Sequence, residues 1–277
     1  MKKYFFLIVM LLIANFSSFG DEPMTGRFVG DETDGYIQFV SSNMAIFCVS
    51  KNGFSESLVP YRIEKNGAMN YLRWGPGYKY SYLVLYSPKI CFFFDVDGNN
   101  SFIGIQYSDK DHPIVSRISV SENSLLDTAA SYHATSELTE GNTFYGASNL
   151  GKLIPGYPWV EGDPGQGIGV SIDIKWRQPV LGILISNGYV SLQKPYLFVM
   201  NSRVKRIRIK SDNFDFTTNL EDSPNPQSIK LPQAAQSITL EIVDVFPGSK
   251  WSDTCINFIM GICSPLDSFF FEKRHDP

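Results

Sequence analysis

Histidine, cysteine and long apolar runs are scarce in this sequence, and each scarcity excludes a class of protein. The three histidines, His112, His133 and His275, are scattered and the cysteines show no paired spacing, which excludes a familiar zinc site. Beyond residue 20 no stretch reaches the ~18 apolar residues that a membrane-spanning helix needs. Lys and Arg total 24 against 28 Asp and Glu, so the net charge of -4 argues against a nucleic-acid partner.

Signatures of catalysis are missing as well. The sequence has no Gly-x-Ser-x-Gly motif, and no histidine lies beside a serine or cysteine in a familiar nucleophile pattern. We therefore expect no enzyme activity, no catalytic residue, no metal and no cofactor. A hydrolase hidden in the N-terminal part is the weaker alternative.

The first twenty residues have the pattern of a signal peptide. Lys2 and Lys3 precede an apolar run over 4–14, and Ser18-Phe19-Gly20 places small residues where a signal peptidase cleaves. Cleavage would leave Asp21 as the first residue, and the alternative is an uncleaved N-terminal anchor. The short lysine-led start is typical of bacterial export, which predicts a periplasmic, cell-surface or secreted protein.

Short strands and turns dominate the rest of the chain. Aromatic residues make up 14% of the sequence, beside 22 Gly and 16 Pro, and no helical period is sustained. Residues 21–119 form the first predicted domain, a small antiparallel barrel or sandwich, with hairpin signals at Asn52-Gly53 and Asn66-Gly67. Its predicted strands are 35–39, 44–49, 58–65, 69–74, 80–86, 90–96 and 102–107.

A second β domain follows a polar connector. Ser, Asn, Thr and Ala dominate residues 120–130, which we interpret as a linker containing one short helical turn. The domain over 131–277 is predicted as a β-sandwich, since strand patterns recur every eight to twelve residues. Its predicted strands are 169–176, 180–187, 204–211, 214–220, 227–231 and 237–245, with a last strand at 269–271.

The redox state of the four cysteines stays open at this point. Position in the chain favours two disulfides, Cys48–Cys91 and Cys255–Cys263, in an oxidising compartment. The alternative is four buried free thiols that act as small apolar side chains.

The second domain carries a series of motifs in a specific order. They are Trp159-Val160-Glu161-Gly162, Gly165-Gln166-Gly167-Ile168-Gly169, Asn187-Gly188-Tyr189 and Trp251-Ser252-Asp253-Thr254-Cys255-Ile256. This order, over about 131–259, resembles the discoidin-type (factor 5/8 type C-like) domain attached to bacterial NAD glycohydrolases, also called a glycan-binding or translocation domain. The resemblance implies a galactose-binding-like jelly roll, non-catalytic, whose loops at one end hold a glycan.

The chain departs from the family's pattern in three respects. The acid and the Trp that the family has after Gly-Ile-Gly are here Val170 and Ser171. Residues 151–157 lack the Asp-Gly pair that related modules often carry before the Trp, so a structural calcium site would lack its acid. No NAD glycohydrolase catalytic domain is identified upstream, and we carry over the binding module without the enzyme.

Three aromatic residues are candidates for contact with a sugar ring. Tyr157, Trp159 and Tyr189 can offer a flat apolar face with a polar edge. The competing interpretation is packing beneath a loop, in the core of the sandwich.

Four charged residues complete the candidate site. Glu161 and Asp163 can accept hydrogen bonds from vicinal hydroxyls, or else they cap their own Gly/Pro-rich loop. Arg203 can clamp a carboxylated sugar or form a structural salt bridge. Asp253 either approaches the ligand or bonds the closing loop. The expected partner is a carbohydrate or cell-surface glycan, and the alternative is a protein or membrane partner recognised through the N-terminal domain.

Overall fold

The computed structural model describes residues 26–30, 36–49, 55–87, 90–95, 101–106, 126–127, 129 and 131–263. The predicted signal peptide, the Asn52-Gly53 turn and the strand predicted at 269–271 lie outside the described residues. The described residues are almost all in strands, which confirms the all-β fold. They include no helix with the length and apolar character needed to cross a bilayer.

The N-terminal part is a closed antiparallel barrel, which decides between the two architectures that the sequence left open. Each strand pairs with the next along the chain, and β1 pairs with β8 to close the sheet. The first strand was not predicted. The strands are β1 (Gly26–Gly30), β2 (Tyr36–Phe39), β3 (Met44–Val49), β4 (Ser55–Asn66), β5 (Met69–Trp74), β6 (Tyr80–Ser87), β7 (Ile90–Asp95) and β8 (Ser101–Gln106).

The predicted hairpin at Asn66-Gly67 is confirmed. Asn66 pairs with Met69 across the turn between β4 and β5. Gly67 has a φ of 60°, a left-handed conformation that glycine adopts without strain. Gly67 is therefore the first central residue of a two-residue turn.

The barrel is filled by inward side chains from several strands. Leu72, Val84 and Phe93 belong to one buried cluster inside it. Toward one end the ring of Trp74 stacks on Phe47, with centroids 4.0 Å apart, and on Tyr80, with centroids 4.6 Å apart. The interior is thus packed with aromatic and aliphatic side chains.

The C-terminal part is the predicted β-sandwich. Two of its strands, Ser171–Asn187 and Gln227–Phe246, are long, and each replaces a pair of predicted strands. The register between them shifts between Lys175 and Val180, so a bulge interrupts the pairing without ending either strand. The strands are β9 (Leu126–Asp127), β10 (Ser131–Ala134), β11 (Leu138–Glu140), β12 (Thr143–Tyr145), β13 (Trp159–Val160), β14 (Ser171–Asn187), β15 (Ser202–Lys210), β16 (Asp215–Asn219), β17 (Gln227–Phe246) and β18 (Thr254–Ile262). Short helices lie at Ala147–Gly151 and Leu197–Met200.

Four strands of the sandwich pair in a cycle around its core. β14 pairs with β17, β17 with β15, β15 with β18, and β18 again with β14. The enclosed cluster includes Trp176, Ile207 and Leu240, none of which has exposed surface. β9 lies within the predicted connector, where Leu126 pairs with β18 as a strand residue rather than in a helical turn.

The barrel and the sandwich share a second hydrophobic cluster, which we call the junction. It joins outward side chains of β5, β6 and β7 to β14, β18 and the segment after Tyr189. The rings of Phe92 and Phe258 meet there with centroids 4.9 Å apart. The junction comprises Met69, Tyr71, Leu83, Leu85, Phe92, Phe94, Leu126, Leu184, Val190, Phe198, Phe258, Met260 and Ile262.

Candidate functional site

Two tyrosines meet at one end of the sandwich. The Tyr189 hydroxyl donates to the Gly156 carbonyl oxygen over 3.1 Å and lies 3.3 Å from the Tyr145 hydroxyl. Their rings are 6.1 Å apart in an edge-to-face arrangement. Burial raises the pKa of Tyr189, and the hydrogen bond with Tyr145 adds to the rise. The Tyr189 hydroxyl is therefore neutral at neutral pH and can both donate and accept a hydrogen bond.

Tyr157 projects from the loop that these tyrosines hold. Its side chain is 52% exposed. The preceding Gly156 is fixed on both sides, because its N–H donates to Val190 O over 2.7 Å and its carbonyl accepts from Tyr189. Gly156 has a φ of 95°, which a side chain would strain. An exposed ring is thus presented on a pinned backbone.

Asp253 belongs to the same end. It is half-buried, and burial raises the pKa of its carboxyl above the usual range, with the Glu140 carboxylate raising it further. Glu140 also raises the pKa of Tyr189, and its strand, β11, pairs with β12, which carries Tyr145. We call Glu140, Tyr145, Tyr157, Asp163, Tyr189 and Asp253 the loop end.

Glu161 and Asp163 have different environments although they are two residues apart. Glu161 is fully buried, and its carboxylate accepts the Asp163 N–H at 2.9 Å and the Thr254 N–H at 3.4 Å. Burial raises the pKa of Glu161, against those two hydrogen bonds. Asp163 is exposed. Glu161 therefore ties the loop to β18, and Asp163 is the member of the pair that a ligand can reach.

The glycine-rich loop after Asp163 is a tight entry into β14. Gly165, Gly167 and Gly169 all have φ between 67° and 122°. A side chain at Gly167 would also collide with Glu161, whose Cγ lies 2.7 Å from the ideal Cβ position. Backbone conformation and close packing therefore account for these glycines.

Trp159 lies in the core. Its indole has no exposed surface, and its Nε1–H donates to the Ser136 carbonyl at 3.1 Å. A buried ring has no face to offer a sugar, so the structure departs from the expected contact and supports the packing interpretation. Trp159 instead anchors β13 against the sandwich.

Arg203 is occupied by the protein itself. Its Nε and Nη2 donate to the two carboxylate oxygens of Asp222 at 2.9 and 2.6 Å. Its Nη1 donates to the carbonyls of Asn201 and Pro247. The guanidinium is buried and makes four hydrogen bonds within the protein, which supports the structural alternative over a clamp for a carboxylated sugar.

The cysteines and acids of the described residues form no second centre. Cys48, Cys91 and Cys255 are buried and form no disulfide among the described residues, so the predicted Cys48–Cys91 bond is not formed. Burial raises the pKa of Cys91 and Cys255, which makes both poor nucleophiles. Within the described ranges, no group of three or more His, Cys, Asp or Glu side chains is placed to hold a metal ion.

Sequence reasoning found most of the loop end but missed Glu140 and Tyr145. Both lie in the β11–β12 hairpin, which pairs only with itself and has three residues in each strand. The turn at Gly141-Asn142 was the available signal, since Gly141 adopts a φ of 58°.

A protein-family model identifies the family of the β-sandwich. Residues 125–261 match the family model of the NAD glycohydrolase translocation F5/8 type C domain. This segment is a domain of that family. The F5/8 type C domain therefore comprises β9 to β18, including the loop end and one side of the junction.

The solved structures similar to this chain include two carbohydrate-binding modules. The family 32 carbohydrate-binding module of C. perfringens NanJ, in complex with galactose, has 14% identity and a TM-score of 0.33 and covers 47% of this chain and 91% of that chain. Module CpGH89CBM32-5 of Clostridium perfringens, in complex with GalNAc-beta-1,3-galactose, has 15% identity and a TM-score of 0.34, covering 47% and 92%. Similarity this low establishes no shared function. The curated proteins compared with the chain give no match.

Proposed function

We propose that the protein is exported and binds a glycan, without altering it, through the loop end of its F5/8 type C domain. The observation that carries this proposal is the exposed Tyr157 ring on its pinned loop, in a domain of this family. Tyr189 and Tyr145 extend the same surface with two hydroxyls. The export step rests on the signal-peptide pattern of residues 1–20.

The chemistry of the loop end suits a neutral sugar. A tyrosine ring can pack against the apolar face of a pyranose, while its hydroxyl bonds to ring substituents. Asp163, Asp253 and Glu140 are acceptors for vicinal hydroxyls. The same carboxylates would repel an acidic sugar, so we expect neutral hexoses to be preferred.

The absence of turnover is part of the proposal, and the burial of Glu161 supports it. A glycosidase needs two carboxyl groups on opposite sides of the scissile bond, roughly 5–10 Å apart. Glu161 has no exposed surface and accepts the backbone N–H of Asp163. The two neighbouring acids of this loop are therefore poorly placed to act as a catalytic pair.

A glycan array with the full-length protein tests the proposal. We expect signals for neutral galactose-containing glycans that fall about tenfold or more in Tyr157→Ala, the loss of a stacked ring at an interface. The matched control is Tyr80→Ala, which removes a ring of similar exposure, 47%, from the barrel. Silence of the wild-type protein across the array, or equal losses in both variants, would overturn the proposal.

A second candidate is a translocation module that binds a protein partner, with the sandwich as scaffold. The description of the matched family, which names translocation, favours it. If this alternative holds, Tyr157→Ala leaves partner binding unchanged. Leu58→Asp, on the exposed outer face of β4, abolishes partner binding. The two candidates thus differ in which half of the chain is sensitive.

A further inference from the structure

An open cleft of about 580 Å³ lies where the barrel meets the F5/8 type C domain. One wall is the β4–β5 hairpin, with Glu64, Lys65 and Asn66, and the other is the segment that contains Gln193. The volume lies within the range of small-molecule sites, about 300–1,000 Å³. The cleft shares no lining residue with the loop end, so it is a separate candidate site.

The base of the cleft is fixed by a bond between the two halves. The Tyr71 hydroxyl donates to the Leu192 carbonyl oxygen at 3.0 Å. Tyr71 also belongs to the buried junction, which anchors the barrel side of the cleft. The two walls are thus held in register before any ligand arrives, which lowers the entropy cost of binding.

Arg73 offers a guanidinium that is positioned but only partly used. Its Nε donates to Glu64 Oε2 at 2.9 Å, while its two Nη groups have no hydrogen-bond partner among the described residues. The other oxygen of Glu64 pairs with Arg62 Nη2 at 2.5 Å. The hydrogen bond from Arg73 lowers the pKa of Glu64, so this carboxylate stays ionised and paired. The free edge of Arg73 is therefore available to an outside acceptor.

The other polar groups of the cleft are also available. Lys65, Asn66 and Gln193 make no side-chain hydrogen bond or ion pair with any described residue. Of the charged residues that line the cleft, Lys65 and Arg73 are cationic and Glu64 alone is acidic. A locally basic cleft in a protein of net charge -4 selects an anion.

We propose that this cleft binds a small carboxylated sugar of the uronic-acid class. The two Nη groups of Arg73 match the two oxygens of a carboxylate, the geometry that makes such pairs strong. Lys65 adds a second positive charge. The amides of Asn66 and Gln193 can each donate and accept, which suits the hydroxyls of a sugar ring. The sequence suggested this kind of carboxylate recognition for Arg203. We now assign it to Arg73, whose Nη groups have no partner among the described residues.

Titration of the full-length protein with methyl β-D-glucuronide, followed by amide NMR shifts, tests the proposal. Methyl β-D-glucoside is the matched probe, because it differs only in lacking the carboxylate. We expect the side-chain amides of Asn66 and Gln193 to shift with the glucuronide and not with the glucoside. The apparent affinity should fall as NaCl rises, since a partly exposed ion pair is screened.

Two variants separate the cleft from its surroundings. Arg73→Gln should weaken glucuronide binding about tenfold or more, the effect of losing a charged hydrogen bond. Arg62→Gln breaks the other pair of Glu64 but does not line the cleft, and should leave the affinity within about twofold. Tyr157→Ala should not change glucuronide binding. The cleft proposal can therefore be wrong while glycan binding at the loop end is correct, and the loop-end proposal can be wrong while the cleft proposal is correct.

Three outcomes would overturn the proposal. Equal binding of the glucoside would exclude carboxylate recognition. Acetate that matches the glucuronide in affinity would exclude the sugar ring. Glucuronide shifts that map away from Asn66 and Gln193 in the wild-type protein would exclude the cleft, whatever the variants show.

Discussion

The barrel has two different outer walls, one toward the sandwich and one toward solvent. On the first, Leu83, Leu85 and Phe92 point outward and are fully buried or nearly so in the junction. On the second, Leu58 of β4 also points outward and is 61% exposed. The strands are alike in pairing, so the difference comes from the neighbouring domain alone.

This contrast explains an odd feature of the sequence, the continuous apolar run of β7. Cys91 and Phe93 face the barrel interior, while Phe92 and Phe94 face the junction. A strand with one solvent face alternates apolar and polar residues, and one buried on both faces does not. A run without alternation in a small barrel therefore marks the wall that another domain covers.

Replacing an outward side chain on each wall measures the contrast directly. We expect Phe92→Ala to lower the free energy of unfolding by about 3–5 kcal/mol, because it leaves a cavity against Phe258. Leu58→Ala, on the solvent wall, should change it by about 0.5 kcal/mol or less. Urea denaturation of the full-length chain measures both, and equal losses would mean that the junction is not formed in solution.

The sequence revealed strands where the two faces differ, and missed them where they do not. The alternating strands of the barrel and the hairpin at Gly67 were predicted with bounds close to those observed. β18 was not predicted, although it is central to the sandwich. All nine of its residues are buried, so its sequence has no period to detect.

Prediction of the candidate site was limited for the same reason, because the sequence does not show which side chains face solvent and which face the core. Tyr157 and Trp159 are two residues apart and chemically similar, yet one is exposed and the other is fully buried. Only the pairing of Trp159 with Ile256, almost a hundred residues later, fixes the difference. Arg203 likewise depends on Asp222, a partner that no local pattern indicates.

A second test concerns the polar bond at the edge of the junction. Tyr71→Phe removes only the hydroxyl that donates to Leu192 O, and should lower the free energy of unfolding by about 1 kcal/mol. Tyr80→Phe is the control on the neighbouring strand β6, where the ring is 47% exposed, and should be close to neutral. Thermal denaturation followed by circular dichroism measures both. If the two variants behave alike, the bond between barrel and sandwich contributes nothing.

The smallest effect is expected on the solvent wall itself. Arg62 pairs with Glu64 and lies over the Tyr78 ring, with its guanidinium carbon 4.6 Å from the centroid. Its side chain is 56% exposed, so water and salt screen the pair. Arg62→Gln should lower the free energy of unfolding by about 0.5 kcal/mol at low salt, measured by urea denaturation.

Salt then separates the two contacts of Arg62. In 1 M NaCl, where the screening length is about 3 Å, the part of the loss that comes from the ion pair should vanish. Any remainder comes from packing on Tyr78, which salt screens less. A loss above about 1 kcal/mol that persists in salt would mean that this wall is also covered, and the contrast between the two walls would then need another cause.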